Sequence, residues 1–223
     1  MRRISKVAVL GSGVMGSTIA CHFANVGLDV LLLDIVPFDL KDEEKSNPAA
    51  RNRLVNTALQ TALKSKPSPI YDQKLAARIK TGNFDDDMQR IKDCDWIIEV
   101  VVERLDIKQQ VFEKVEKHRR KGSLITSNTS GIPIYMMAEG RSEDFQKNFC
   151  GTHFFNPPRY LKLFEVIPHT GTSPEVVDFF MAYADKFLGK TPVMCKGDAV
   201  QVFRNETPRP GHSGHLLAQH QNM

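Results

Sequence analysis

KVAVLGSGVMGSTIACHFANVGLDVLLLD, residues 6–34, is the stretch from which the rest of the chain can be placed. Residues 7–10 are a short β-branched and aliphatic run. Gly11, Gly13 and Gly16 follow at G-x-G-x-x-G spacing, an apolar helical period spans residues 15–26, and a second apolar run at 30–33 ends at Asp34. The pattern is strand, tight turn, helix, strand. The first glycine permits the turn, the second lets a pyrophosphate approach bare backbone, and the third lets the helix pack on the strand. The phosphates then meet the positive end of the helix, where the backbone of Val14 and Met15 lies. Asp34 falls 18 positions after Gly16, where an adenine ribose presents its hydroxyls. A carboxylate accepts bonds from a 2′-hydroxyl and repels a 2′-phosphate, and Ile35, Val36 and Pro37 supply no arginine to receive one, so NAD is expected over NADP.

The totals bound the remaining classes. A chain of 223 residues with 41% apolar content holds one substantial domain with a buried core. The formal charge of +4 is small, and its basic residues are interspersed with acidic ones, so nucleic acid is not an expected partner. Cys21, Cys94, Cys150 and Cys195 lack C-x-x-C spacing, which reads as reduced thiols in a cytoplasmic protein and not as a disulfide framework or zinc site. The basic start MRRISK precedes an apolar run that is the first strand itself, broken by glycines, so a secretory signal is not expected. No run of about 18 apolar residues exists to span a membrane.

Beyond Asp34, Ser46 or Asn47 before Pro48 offers a helix entry, residues 49–64 carry a helical period, and KSKPSP at 64–69 ends it. A second helix is expected at about 71–78, making a helical hairpin inserted between strands. Lys64 and Lys66 at its tip suit either a solvated loop or contact with the phosphates of a large anionic substrate. A strand is expected at 79–84 and a helix capped by residues 85–87 as far as residue 93. WIIEVVV, residues 96–102, has the continuous apolar character of a strand covered on both faces. A helix at 107–118, strands at 124–127, 149–155 and 163–167, a helix from Pro174 to about residue 188 and a strand at 191–194 complete the series. Such alternation predicts an α/β fold, a Rossmann-type doubly wound, mostly parallel sheet with the helical hairpin inserted. Polar residues at strand ends then converge on the crevice beyond the carboxyl edge of the sheet.

Three segments end in reactive side chains: Ser127 to Ser130, then His153 and Asn156 in GTHFFNP, then Glu165 in LFEVIP. Each alone has a plain explanation as a cap, a structural histidine or a solvent-facing acid. Beside a nicotinamide they make a chemical set. Oxidising a secondary alcohol needs a base for the hydroxyl proton, and imidazole titrates in the working range. Glu165 suits the role of holding the other ring nitrogen, and Ser130 that of hydrogen-bonding the substrate oxygen.

GSGVMGSTIA, EVVVERLDIKQQVF, SNTSG, GTHFFNPP and LFEVIP, in this order and spacing, resemble the NAD-binding domain of the 3-hydroxyacyl-CoA dehydrogenases of fatty acid β-oxidation. The likeness covers residues 3–196, and in particular the chain resembles a longer bacterial form with a hydratase-type module after the dehydrogenase. The resemblance implies oxidation of (S)-3-hydroxyacyl-CoA to 3-oxoacyl-CoA with NAD. It implies His153 as base and Glu165 as its partner, Ser130 and Asn156 at substrate or nicotinamide, and Glu103 and Lys108 along the cofactor, with Gly11, Gly13, Val14, Met15, Gly16 and Asp34 in the nucleotide site. It also implies that the hairpin at 49–80 meets the CoA moiety.

After residue 196 the likeness stops. The family continues with D-T-P-x-F-x-x-N-R and an all-helical domain that completes the cleft and dimerises; this chain reads GDAVQVFRNETPRPGHSGHLLAQHQNM. The expectation is therefore a domain over 1–196 and a divergent, disordered tail over 197–223, reflecting a shifted reading frame or truncated gene. A homodimer is expected only where the helical domain is present. His212, His215 and His220 have no folded frame to make a metal site, so no metal is expected. Weak or absent turnover follows from losing one cleft wall. The alternatives are a catalytically silent NAD-binding fragment and a dehydrogenase of a free hydroxy acid.

Overall fold

The computed structural model describes residues 2–195, so the expectations for the tail and for His212, His215 and His220 lie outside the described residues. Eight strands form one sheet in the order β3-β2-β1-β4-β5-β6-β7-β8. They are β1 (Lys6–Leu10), β2 (Asp29–Asp34), β3 (Ile79–Asn83), β4 (Trp96–Glu99), β5 (Leu124–Ser127), β6 (Phe149–Phe154), β7 (Leu163–Ile167) and β8 (Thr191–Met194). All neighbours are parallel except β6 and β7. The strand order turns back at β1, which lies between β2 and β4, and that switch point opens the crevice of a doubly wound sheet.

Alternation along the strands divides the core between two faces. Val7, Val9, Val30 and Leu32 point to one face; Ala8, Leu10, Leu31 and Leu33 point to the other. The first face is covered by α1 (Val14–Asn25), by α3 (Arg53–Lys64), which follows the short exposed α2 (Pro48–Arg51), and by α7 (Pro174–Lys186); between them in the chain come α4 (Leu105–His118), α5 (Ile134–Ala138) and α6 (Glu143–Lys147). There Phe23 and Phe180 meet Trp96 with ring centroids 4.9 and 5.0 Å apart. On the other face Phe112, Phe145 and Phe149, from α4, α6 and β6, form a cluster at 5.1 to 5.6 Å.

Several elements differ from the sequence-based expectation, each for a local reason. The helix expected over 49–64 is two: Asn47 caps the first by accepting from the Ala49 amide at 2.9 Å, and Asn52 (φ −97°, ψ 10°) separates them. The side chain of Asn52 is drawn to Asn83 at 2.8 Å. The return limb of the insertion is a 3₁₀ turn, Gln73–Arg78, capped by Asp72 and running directly into β3. Residues Met88–Asp93 are likewise 3₁₀, and the Asp87 carboxylate before them accepts from the Asn83 amide (3.0 Å) and does not cap forwards. β4 ends at Glu99, short of residue 102: the Val101 amide bonds the Glu99 carboxylate at 2.7 Å and the chain peels off the sheet. The connection from β6 to β7 is too short for a crossover helix, so this pair is antiparallel.

Gly11 and Gly16 are required by geometry. Gly11 has φ +105°, and a Cβ on it would lie 2.7 Å from the Val100 carbonyl oxygen. A Cβ on Gly16 would lie 1.9 Å from the Gly11 oxygen. Both obstacles are backbone and cannot rotate away. Gly16→Val is expected to destabilise the chain by on the order of 3 kcal/mol, read as a lower urea midpoint, whereas Gly13→Ala, which meets nothing within 4 Å, leaves the midpoint nearly unchanged. Equal midpoints for the two variants would contradict this packing account.

Candidate functional site

The carboxyl ends of β1, β2, β4, β5 and β6 bring the expected residues to one edge. At β1 the glycine turn runs straight into α1, whose N-cap Gly13 is exposed and makes no side-chain cap bond, so the first-turn amides of the helix, at Val14 and Met15, are left for an anion. The Asp34 carboxylate closes this turn from the side. One oxygen accepts from the Ser12 amide (2.6 Å) and hydroxyl (2.5 Å), the other from the Ile35 amide (2.7 Å). Ser12 is not among the residues the sequence singles out, although a hydroxyl inside the glycine loop is its visible signal. An open backbone cradle at Gly13 and a fixed carboxylate beside it fit the pyrophosphate and ribose of a dinucleotide.

A second layer lies at β4 and β5. Glu99 is wholly buried: one oxygen accepts from the Lys108 ammonium (2.8 Å) and the Val101 amide (2.7 Å), the other from the Ser127 hydroxyl (2.5 Å). Burial pushes its carboxyl up, opposed chiefly by the Lys108 charge. Lys108 is only 1% exposed, and its ammonium also reaches Glu103 at 3.3 Å. The structure thus places Lys108 beneath the edge, behind Glu103. Glu103 is half-exposed and gathers the hydroxyl of Thr129 (2.5 Å) and the amides of Ser130 (3.0 Å) and Gly131 (2.8 Å). Partial burial works to raise its carboxyl, but the Thr129 hydroxyl, the Lys108 charge and the two amides outweigh it and hold it below the usual range. Glu99 is a site residue that the motifs do not single out; a carboxylate inside WIIEVVV, a strand covered on both faces, is the signal that could have found it.

The third layer is the antiparallel pair. His153 and Glu165 are direct register partners, so their side chains leave the same face of the sheet. Nδ1 of His153 lies 3.1 Å from a Glu165 oxygen, and both residues are buried. Burial lowers the imidazole from its ordinary value of 6.5, with the negative charge of Glu103 opposing, and raises the Glu165 carboxyl. A neutral imidazole donating from Nδ1 to this carboxylate presents Nε2 as a base. Asn128 ties this layer to β5 by accepting from the Phe154 amide at 2.8 Å. Ser130 and Asn156 stand exposed at the ends of their segments.

With this geometry in place, the relatives are informative. Residues 6–199 match the family described as 3-hydroxyacyl-CoA dehydrogenase, NAD binding domain. The chain belongs to that family. It is 51% identical over 201 residues to a probable 3-hydroxyacyl-CoA dehydrogenase of Bacillus subtilis, covering 87% of this chain and 26% of the relative. It is 48% identical over 192 residues to a protein of the same name from Deinococcus radiodurans, covering 86% and 53%. The structure of (S)-3-hydroxybutyryl-CoA dehydrogenase from Ralstonia eutropha superposes with a TM-score of 0.67 at 29% identity, covering 87% of this chain and 64% of that one. This chain therefore spans between about a quarter and a half of the length of these curated relatives. NAD is the cofactor of the domain, in keeping with Asp34 and the absence of a basic residue directly after it.

The buried Glu99–Lys108 pair makes a stability prediction. Lys108→Met leaves Glu99 buried without its cation and is expected to cost about 3–5 kcal/mol, while Glu99→Gln combined with Lys108→Met recovers most of that loss in urea unfolding. Simple additivity of the two single losses would show that the pair does not interact.

Proposed function

We propose that this domain serves the NAD-dependent oxidation of (S)-3-hydroxyacyl-CoA to 3-oxoacyl-CoA, the β-carbon oxidation step of fatty acid degradation. The single observation supporting it is the His153–Glu165 pair, two buried groups 3.1 Å apart at the carboxyl edge that also carries the dinucleotide loop. In this reading Nε2 of His153 takes the hydroxyl proton of the substrate. The Nδ1–H bond to Glu165 fixes the tautomer and stabilises the imidazolium that forms. Bound NAD would supply the acceptor for the hydride that leaves the carbinol carbon as the carbonyl forms. Ser130 and Asn156 hydrogen-bond the substrate oxygen or the nicotinamide amide. Glu103, kept ionised by Lys108 and its three donors, lines the cofactor, and Lys108 acts through it.

The proposal extends to a reducing, cytoplasmic setting, supported by Cys21, Cys94 and Cys150, which are buried as free thiols. Turnover by this stretch alone is proposed to be weak, because the relatives are much longer and their remaining length would complete the substrate cleft. A silent NAD-binding fragment is the second reading, favoured by the same lengths. NADH titration by fluorescence together with acetoacetyl-CoA reduction separates them: binding with turnover supports the enzyme, and binding with none at any enzyme concentration supports the fragment. Faster turnover of free 3-hydroxy acids than of the thioesters would refute the acyl-CoA assignment.

Where turnover is measured, His153→Asn is expected to lower kcat by about 10²–10⁴-fold with NADH affinity unchanged. Because burial lowers the imidazole, the acid limb of the oxidation rate should fall below pH 6.5: above that limb the base is neutral and competent, and as pH falls through it the protonated ring cannot accept. A limb above 6.5 would contradict the burial argument.

A further inference from the structure

Two cations that the proposed chemistry does not use grip the turn joining β6 to β7, residues 155–162. Lys190 holds it from within. It is buried, donates to the carbonyl oxygens of Pro158 and of Leu161 (2.8 Å), and lies 5.6 Å from the Phe154 ring centre. Arg159 leaves the same turn and reaches the insertion of residues 48–78. Its Nη1 donates to the carbonyl oxygens of Ser68 (2.7 Å) and Ile70 (3.0 Å). Its guanidinium lies 4.1 Å from the centre of the Tyr71 ring and 5.1 Å from that of Tyr160. The Tyr160 hydroxyl donates to the same Ser68 oxygen at 3.0 Å.

The segment so held is anchored once more. Asn25, the last residue of α1, donates to the Pro69 oxygen (2.9 Å) and accepts from the Tyr71 amide (2.8 Å). Residues 68–71 are therefore pinned to the helix that starts at the dinucleotide loop and to the turn that separates His153 from Glu165. The tip beyond them, residues 64–67, is exposed and buries little surface to hold itself. Arginine suits this position because its planar guanidinium can lie against the Tyr71 ring while Nη1 serves the two carbonyls.

We propose that Arg159 is a positioning residue that latches the insertion to the His153–Glu165 turn, so that the surface meeting the nucleotide end of a CoA thioester is set in register with the proton acceptor. The substrate consequence rests on the acyl-CoA reading above; the latch itself does not. It acts by fixing where the insertion stands, through the Ser68 and Ile70 carbonyls and the Tyr71 ring.

The full chain carrying Arg159→Ala or Arg159→Lys tests this. Hydrogen–deuterium exchange of residues 65–71 and 157–162 should quicken by about tenfold or more in Arg159→Ala, with β1 and β4 unchanged; Arg159→Lys should quicken it less. By calorimetry in the presence of NAD, the dissociation constant for acetoacetyl-CoA should rise about tenfold in Arg159→Ala, while those for NADH and for the N-acetylcysteamine thioester of acetoacetate stay fixed. Unchanged exchange overturns the latch. Faster exchange with equal losses for both thioesters overturns the register role and leaves a general structural one. Failure of the unsubstituted chain to bind acetoacetyl-CoA refutes the acyl-CoA reading and its consequence here, while exchange still decides the latch separately.

Discussion

The antiparallel pairing of β6 with β7 is the constraint on which the chemistry of this edge depends. A connection too short for a crossover must reverse the chain, and the resulting register sets His153 directly opposite Glu165. Because side chains alternate along a strand, a slip of one residue would send one of the two to the other face and separate the pair. The pairing is fixed by what surrounds it. Phe154 and Phe164, the next partners in register, turn into the core with ring centres 4.8 Å apart, and Asn128 holds the β6 amide at the strand end. Apolar burial on one face thus decides where the imidazole–carboxylate pair stands on the other.

The remaining polar groups at the edge follow a second rule, that a buried charge must be paired and hydrogen-bonded. Glu99, Lys108 and Glu103 descend from the core to the surface as a chain of alternating charge, each oxygen or ammonium satisfied by named donors and acceptors. The outermost member keeps its charge while remaining partly exposed. Desolvation is the largest single influence on both carboxyls, but at half-exposed Glu103 the hydrogen bonds and the Lys108 charge together outweigh it, whereas at wholly buried Glu99 it prevails over them. The glycine turn meets the same edge from β1, and its close backbone contact with Val100 couples the nucleotide loop to the strand that carries Glu99.

Much of this was legible in the residues. The three glycines, the apolar runs and Asp34 specified a dinucleotide fold because each answers to a local requirement: a positive φ at Gly11, backbone contact at Gly16, and a carboxylate at a strand end. Less legible were the segments whose state depends on distant partners. Asn52 breaks a helical period by reaching Asn83, Asp87 forgoes a forward cap for the amide of that same asparagine, and Arg159 in PPRYLK gives no hint that it crosses to Ser68 and Ile70. Periodicity reports the face a residue prefers and is silent on long-range hydrogen bonds.

By itself, then, the chain's order of residues determined the class of fold, the nucleotide loop and the identity of the groups able to move a proton, since these follow from short-range sterics, alternation and intrinsic chemistry. Only the tertiary structure decided that the imidazole and the carboxylate share one face at 3.1 Å, that Lys108 lies buried behind Glu103, and that the insertion is tied to the turn between β6 and β7. Those outcomes turn on strand register and on contacts between residues up to about ninety positions apart, which packing fixes and which no local pattern encodes.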